Sequence, residues 1–174
     1  MQAERGTALR KSAPHKKAVT SLLAVAIVVI AVDSGSKALA LHTLGVNPKP
    51  ILGSFLQLQL TANSGAAFGF AQSATVFFSL LSFLAMAGIY LFSQSITARS
   101  WGVALGFLLG GIGGNLVDRL FRPPYLLHGQ VIDWIRLPHW PIFNLADTSI
   151  VVSAVTIAIL LINDVKPRSR YDVP

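Results

Sequence analysis

Four long apolar stretches dictate what this chain can become. They run over about 18–41, 74–93, 101–120 and 148–162. A soluble chain of 174 residues has too little interior to hide them all. In a bilayer, a helix of ~20 apolar residues crosses the hydrocarbon with every backbone group paired internally. The fourth stretch has a short uncharged core, so its helix is predicted to begin near Asn144. Charged residues make up only 12% of the chain, against roughly 25% in soluble domains. The expected fold class is therefore a mainly α membrane protein with four transmembrane helices in one domain. For the chain as a whole, that composition excludes a disordered segment, a coiled coil and a free nucleic-acid binder. The chain has no cysteine, which excludes a disulfide framework, a Cys-zinc site, an iron–sulfur cluster and a thiol nucleophile.

The net charge is +7, and its distribution reads as a topology signal. Arg5, Arg10, Lys11, Lys16 and Lys17 precede the first span, Arg99 lies between spans two and three, and Lys166, Arg168 and Arg170 follow the fourth. The alternate connections carry Lys49, Arg119, Arg122 and Arg136. Basic residues favour the cytoplasmic side, so both termini are expected there. The connections 42–73 and 121–143 then face outward. Residues 1–17 read as a basic, disordered cytoplasmic tail, 18–163 as the membrane domain and 164–174 as a second cytoplasmic tail. The first 40 residues also imitate a cleavable signal peptide, but Asp33 and Lys37 interrupt the approach to Ala38-Leu39-Ala40.

Within the first outer connection, 54–61 alternates between Phe55, Gln57, Gln59, Thr61 and Leu56, Leu58, Leu60. That is a strand period, and Asn63-Ser64-Gly65 reads as the turn after it. A small extracytoplasmic β element is expected. The second outer connection holds Trp134 and Trp140 among prolines, so it is expected to lie along the membrane interface.

The acids outside the tails are Asp33, Asp118, Asp133 and Asp147. All four fall at or near the outer ends of predicted spans. An ionisable group in a span costs ~2.5–3.5 kcal/mol on insertion scales, which makes it a functional candidate by default. Asp33 and Lys37 are spaced i, i+4 in the favourable order; they read as a salt bridge or as a pair that orients a site. Asn115, Asp118 and Arg119 share a turn, where Asp118 and Arg119 either anchor the helix end or support a site. Gly102, Gly106, Gly110 and Gly114 recur every four residues, giving one smooth face for close helix packing. That face would bring Asn115 and Asp118 against another span. Asn144 suits an N-cap, with Asp147 in the first turn. On this reading Asp147 is a helix-start acid and Asp133 a loop acid; a reactive pair is the other reading. His15, His42, His128 and His139 lack metal-ligand spacing. A small transporter or proton relay also places acids in spans, but usually shows internal repeats, and none is visible here.

Five motifs in order resemble the bacterial lipoprotein signal peptidases (signal peptidase II), a family of intramembrane aspartic peptidases. Asp33-Ser34-Gly35-Ser36-Lys37 resembles its D-x-x-S-K box, and Asn63-Ser64-Gly65-Ala66-Ala67-Phe68-Gly69 its N-x-G-A-A-F box. Gly114-Asn115-Leu116-Val117-Asp118-Arg119 matches its G-N-x-x-D-R box. Val131-Ile132-Asp133-Trp134 resembles its V-V-D-F, and Phe143-Asn144-Leu145-Ala146-Asp147 its F-N-x-A-D. Ile132 and Trp134 stand where the pattern more often has Val and Phe. The resemblance implies that Asp133 and Asp147 form the catalytic dyad. It implies that Asn63, Asn115, Arg119 and Asn144 line the site, and that Asp33, Lys37, Asp118 and Gly65 support it. The implied substrate is a prolipoprotein already carrying diacylglycerol on its cysteine and cut just before that cysteine. The implied enzyme is a monomer in the bacterial inner membrane, in contact with lipid, with its site near the outer face. No metal, cofactor or nucleic acid is implied.

Overall fold

The computed structural model describes residues 3–64, 71–124 and 126–168; for 3–14 and 71–74 it describes the backbone alone. Four helices and three strands alternate along the chain. They are α1 (Ala3–Thr43), β1 (Lys49–Leu52), β2 (Leu56–Asn63), α2 (Ala71–Ser93), α3 (Arg99–Phe121), β3 (Val131–Arg136) and α4 (Leu145–Ile162). Each helix contains a segment long and apolar enough to cross a membrane. The four spans expected from composition are present, and Asn144 is the N-cap of α4.

The molecule is inverted relative to a soluble protein. Leu23, Ile27, Phe77, Leu84, Val155 and Ile159 are all exposed on the outer faces of the bundle. The largest fully buried side chains include Lys37, Asn144, Asp33, Asp133 and Thr75. Lipid solvates the apolar exterior as well as any core would, so the helices gain little hydrophobic energy by associating. Close packing and internal hydrogen bonds must hold them together.

Helix α3 supplies the packing, because it meets all three other helices. A Cβ added at Gly102 would lie 2.2 Å from the Ala18 carbonyl oxygen, and one at Gly106 would lie 2.7 Å from that of Leu22. At Gly110 it would strike Val29, and at Gly114 the Asp33 carboxylate. The four-residue glycine stripe thus lets α1 lie directly on α3. A Cβ added at Gly111, one residue off the stripe, would lie 2.5 Å from the Ala146 carbonyl oxygen of α4. Where α3 starts and α4 finishes, Trp101 Nε1 donates to the Val165 carbonyl, and Thr97 N–H to that of Pro167. His15 Nδ1 lies 2.9 Å from the Ile96 carbonyl; a carbonyl only accepts, so the ring proton sits on Nδ1.

The sheet has the order β1-β2-β3, antiparallel throughout. Three expectations are corrected. The strand expected over 54–61 is β2, Leu56–Asn63, two residues later than the alternation suggests, so Asn63 ends a strand. The expected turn continues into Gly65, which lies outside the described residues. The connection between α3 and α4 contributes β3, which no alternation announces. Its first three residues, Val131, Ile132 and Asp133, are all buried; a strand covered on both faces loses the period-2 signature. Lastly, the basic segment expected as a disordered tail is helical from Ala3 and continuous with α1. Once the span is helical, each added residue avoids the nucleation cost, and Ala, Arg, Lys and Leu are good helix formers.

Candidate active site

The site starts from one buried ammonium group. Lys37 Nζ lies 2.6 Å from Asp33 Oδ2 and 2.8 Å from Asp118 Oδ2. It also donates a hydrogen bond to Asn115 Oδ1 at 3.1 Å. The buried ammonium thus has two carboxylates and one amide oxygen around it. The Asp33–Lys37 pair is a salt bridge, and Lys37 also bonds Asn115 of α3. Asp118 pairs with Arg122 rather than with Arg119, and accepts the Ile132 N–H at 3.3 Å. It thereby ties the end of α3 to β3.

The Lys37 bond decides which way the Asn115 amide points. With Oδ1 held by the ammonium, Nδ2 faces Asp147 Oδ1 at 2.8 Å. Asn115 Oδ1 also accepts from Asn144 Nδ2 at 3.1 Å. That same Nδ2 donates to Asp133 Oδ1 at 2.6 Å. The second oxygen of Asp133 accepts from Asn63 Nδ2 at 2.9 Å. Two amides, Asn115 and Asn144, thus link the two carboxylates. Asn63 reaches the site because β2 pairs with β3, setting Thr61 opposite Asp133 and Asn63 opposite Val131.

The first turn of α4 holds Asp147 through a reciprocal cap. The Asn144 side chain accepts the Asp147 N–H at 2.9 Å, and Asp147 Oδ2 accepts the Asn144 N–H at 3.2 Å. Asp33 Oδ1 accepts the Ala146 N–H at 2.9 Å. The positive end of α4 is thus met by two carboxylates. Asp147 is indeed the helix-start acid, and it also faces the site.

Asp133 and Asp147 line one cleft of about 480 Å³, together with Asn63, Trp140, Phe143 and Thr148. A second cleft of about 250 Å³ runs between α2, α3 and α4 past Phe78, Ile112, Asn115 and Arg119. The Arg119 guanidinium lies 5.8 Å from the Phe78 ring centroid and donates to its own helix at the Asn115 carbonyl at 3.4 Å. Of the predicted residues, Asp33, Lys37, Asn63, Asn115, Asp118, Asp133, Asn144 and Asp147 form one connected network. Arg119 touches it only through the Asn115 backbone carbonyl, and Gly65 lies outside the described residues. Sequence reasoning missed Arg122, whose i, i+4 spacing from Asp118 was its signal, and the backbone N–H of Ala146.

Comparison with known proteins gives first a class and then a family. The fold is that of bacterial membrane enzymes. One structure solved in meso at 1.9 Å shares 25% identity and a TM-score of 0.74, covering 84% of this chain and 95% of that one. Another, at 2.3 Å, has a TM-score of 0.72 over 90% and 96%. The family described as signal peptidase (SPase) II matches residues 25–163, and the chain belongs to that family. The lipoprotein signal peptidase of Streptomyces griseus is 38% identical, over 87% of this chain and 78% of its own length. That of Mycobacterium avium is 41% identical over 81% and 78%.

Burial raises the Asp133 carboxyl to about 6; bonds from Asn63 and Asn144 oppose the rise, and the Asp147 charge adds to it. Its unfolded value is near 3.8. A folded value above the unfolded one means that ionisation works against the fold. The contribution is full below about 4 and is lost as the pH rises through about 6. Asp133→Asn removes this penalty. Thermal unfolding in detergent should therefore show the variant gaining on the parent between pH 4 and pH 7, by on the order of 3 kcal/mol. A difference that stays flat with pH would show that Asp133 is not destabilised as a carboxylate.

Proposed function

We propose that Asp133 and Asp147 are the catalytic dyad of an aspartic endopeptidase that removes the signal peptide from diacylglyceryl-modified prolipoproteins. Cleavage falls just before the lipidated cysteine. The observation that carries this reading is the pair of carboxylates in one cleft, linked through Asn144 and Asn115. Membership of the signal peptidase II family supports the substrate class.

Two nearby carboxylates share one proton, because ionising both is opposed by their mutual repulsion. The ionised member takes a proton from water as it attacks the scissile carbonyl; the protonated member polarises that carbonyl. The pair titrates as a unit. Asn63, Asn115 and Asn144 keep both carboxylates aimed, and the Arg119 guanidinium in the adjoining cleft offers donors to the peptide. In this reading the enzyme acts as a monomer, and the proposed chemistry calls on no metal, cofactor or nucleic acid. Lipid remains beside the site, because the exposed Val151 on α4 continues the cleft wall. The acyl chains can stay in the bilayer while the peptide bond meets water. Residues 18–163 make up the peptidase unit, flanked by the basic segments.

Asp133→Asn and Asp147→Asn should each bring single-turnover cleavage of a diacylated prolipoprotein to near background while the protein remains folded. If the acids act as a unit, the double variant should be little worse than either single one. Substantial cleavage by a folded single variant would sink the dyad.

The basic residues at the terminal end of the bundle support a cytoplasmic placement of both termini, with the aspartates near the outer face of the inner membrane. The chain has no native cysteine, so single Ser95→Cys and Lys49→Cys variants can report this. An impermeant thiol reagent added to intact cells with a permeabilised outer layer should label the second alone. Labelling of the first alone would invert the orientation.

A further inference from the structure

At the end of the bundle away from the aspartates lies a cleft of about 370 Å³ that the peptidase reaction does not use. Lys16, Lys17, Thr20 and Ser21 of α1 line it, with Arg99 at the start of α3. Lys16 precedes Asp33 by 17 helical residues, which at 1.5 Å each is roughly 25 Å. That is close to the thickness of the hydrocarbon core, so this cleft and the aspartates face opposite leaflets.

Its chemistry is that of an anion site. Three cations converge on it, and among the described residues no acid pairs with any of them. Arg99 is held across the cleft, its Nε donating to Ser21 Oγ at 3.1 Å. A guanidinium fixed in this way still has NH groups to offer, and Thr20 adds a hydroxyl. Helix α3 reinforces the sign. Its N-cap is Ala98, which makes no side-chain cap bond, and its first turn carries no acid. The positive end of its dipole is thus uncompensated by any side chain at this point.

What adjoins the cleft separates a lipid from a free anion. Lys16, Thr20, Leu23 and Ile27 follow one another at three- and four-residue steps, so they share a face of α1. Leu23 is 50% exposed and Ile27 66% exposed, and both lie within the span. Polar donors therefore sit directly above an apolar stripe on the same helix face. We propose that this cleft binds the phosphate headgroup of an anionic glycerophospholipid of the leaflet opposite the aspartates, with an acyl chain lying along Leu23 and Ile27.

The test is native mass spectrometry of the purified full-length protein in detergent, titrated with phosphatidylglycerol, phosphatidylcholine or inorganic phosphate. Phosphatidylglycerol should bind ahead of phosphatidylcholine. Replacing Lys16, Lys17 and Arg99 together by Gln should weaken it at least about tenfold. A Lys166→Gln/Arg168→Gln control, which removes charge at the same end but outside the cleft, should change it less than about threefold. Should the triple variant fail to fold, Arg99→Gln alone should still weaken binding, and Arg99→Lys should restore most of it. Equal binding of the two lipids, or parental affinity in the folded triple or single Gln variant, would overturn the proposal. Inorganic phosphate competing as strongly as the lipid would overturn it too, and would make the cleft a site for a free anion.

Discussion

The structure depends on the placement of one ammonium group inside the membrane bundle. Lys37 is fully buried on a span, where an uncompensated charge costs several kcal/mol. The cost is offset only if oxygens surround the ammonium, and those oxygens come from two different helices. Asp33 lies one turn back on α1, while Asp118 and Asn115 lie on α3. Those groups meet Lys37 only if α1 and α3 lie nearly backbone to backbone. The glycine stripe on α3 makes that approach possible, and its last member, Gly114, makes room for the Asp33 carboxylate itself.

The geometry of the candidate dyad follows from the same contact. Lys37 turns the Asn115 amide, which faces Asp147; Asn144 bridges Asn115 to Asp133. Asp33, on its other oxygen, holds the first turn of α4, where Asp147 is already fixed by its cap. Structural and chemical roles are thus superimposed in Asp147. The cap that starts a helix is also what keeps a carboxylate from rotating away from the cleft. A site built on helix ends and strand pairing, rather than on free loops, keeps its geometry in a bundle that has little apolar core of its own.

Much of this was legible in the residues. Spans of ~20 apolar residues leave few architectures open, and the spacing of Gly102 to Gly114 announced the close helix pair. Asn144 and Asp147 announced the start of α4. What escaped was whatever depended on partners distant in sequence. Strand β3 carries no alternation because Val131, Ile132 and Asp133 are covered on both faces. Asp118 adjoins Arg119 in sequence, yet the helix turns its carboxylate toward Lys37 and Arg122. The basic start of the chain was read from its polarity as disordered, although polarity does not oppose extension of a helix already formed. The five motifs named the acids, but only the fold shows that amides connect them.

If the Lys37 ammonium orients the amides that pose the two aspartates, its removal must slow the chemistry. Single-turnover cleavage with Lys37→Met measures this, using the monodisperse folded fraction and saturating diacylated prolipoprotein. Met keeps the length of the side chain and removes all three bonds. A misplacement of about 1 Å at a reacting centre can cost ~10²-fold in rate. A loss of about that size at saturation is expected, with Asp133 and Asp147 both intact. Cleavage by the folded variant at the rate of the parent would contradict it.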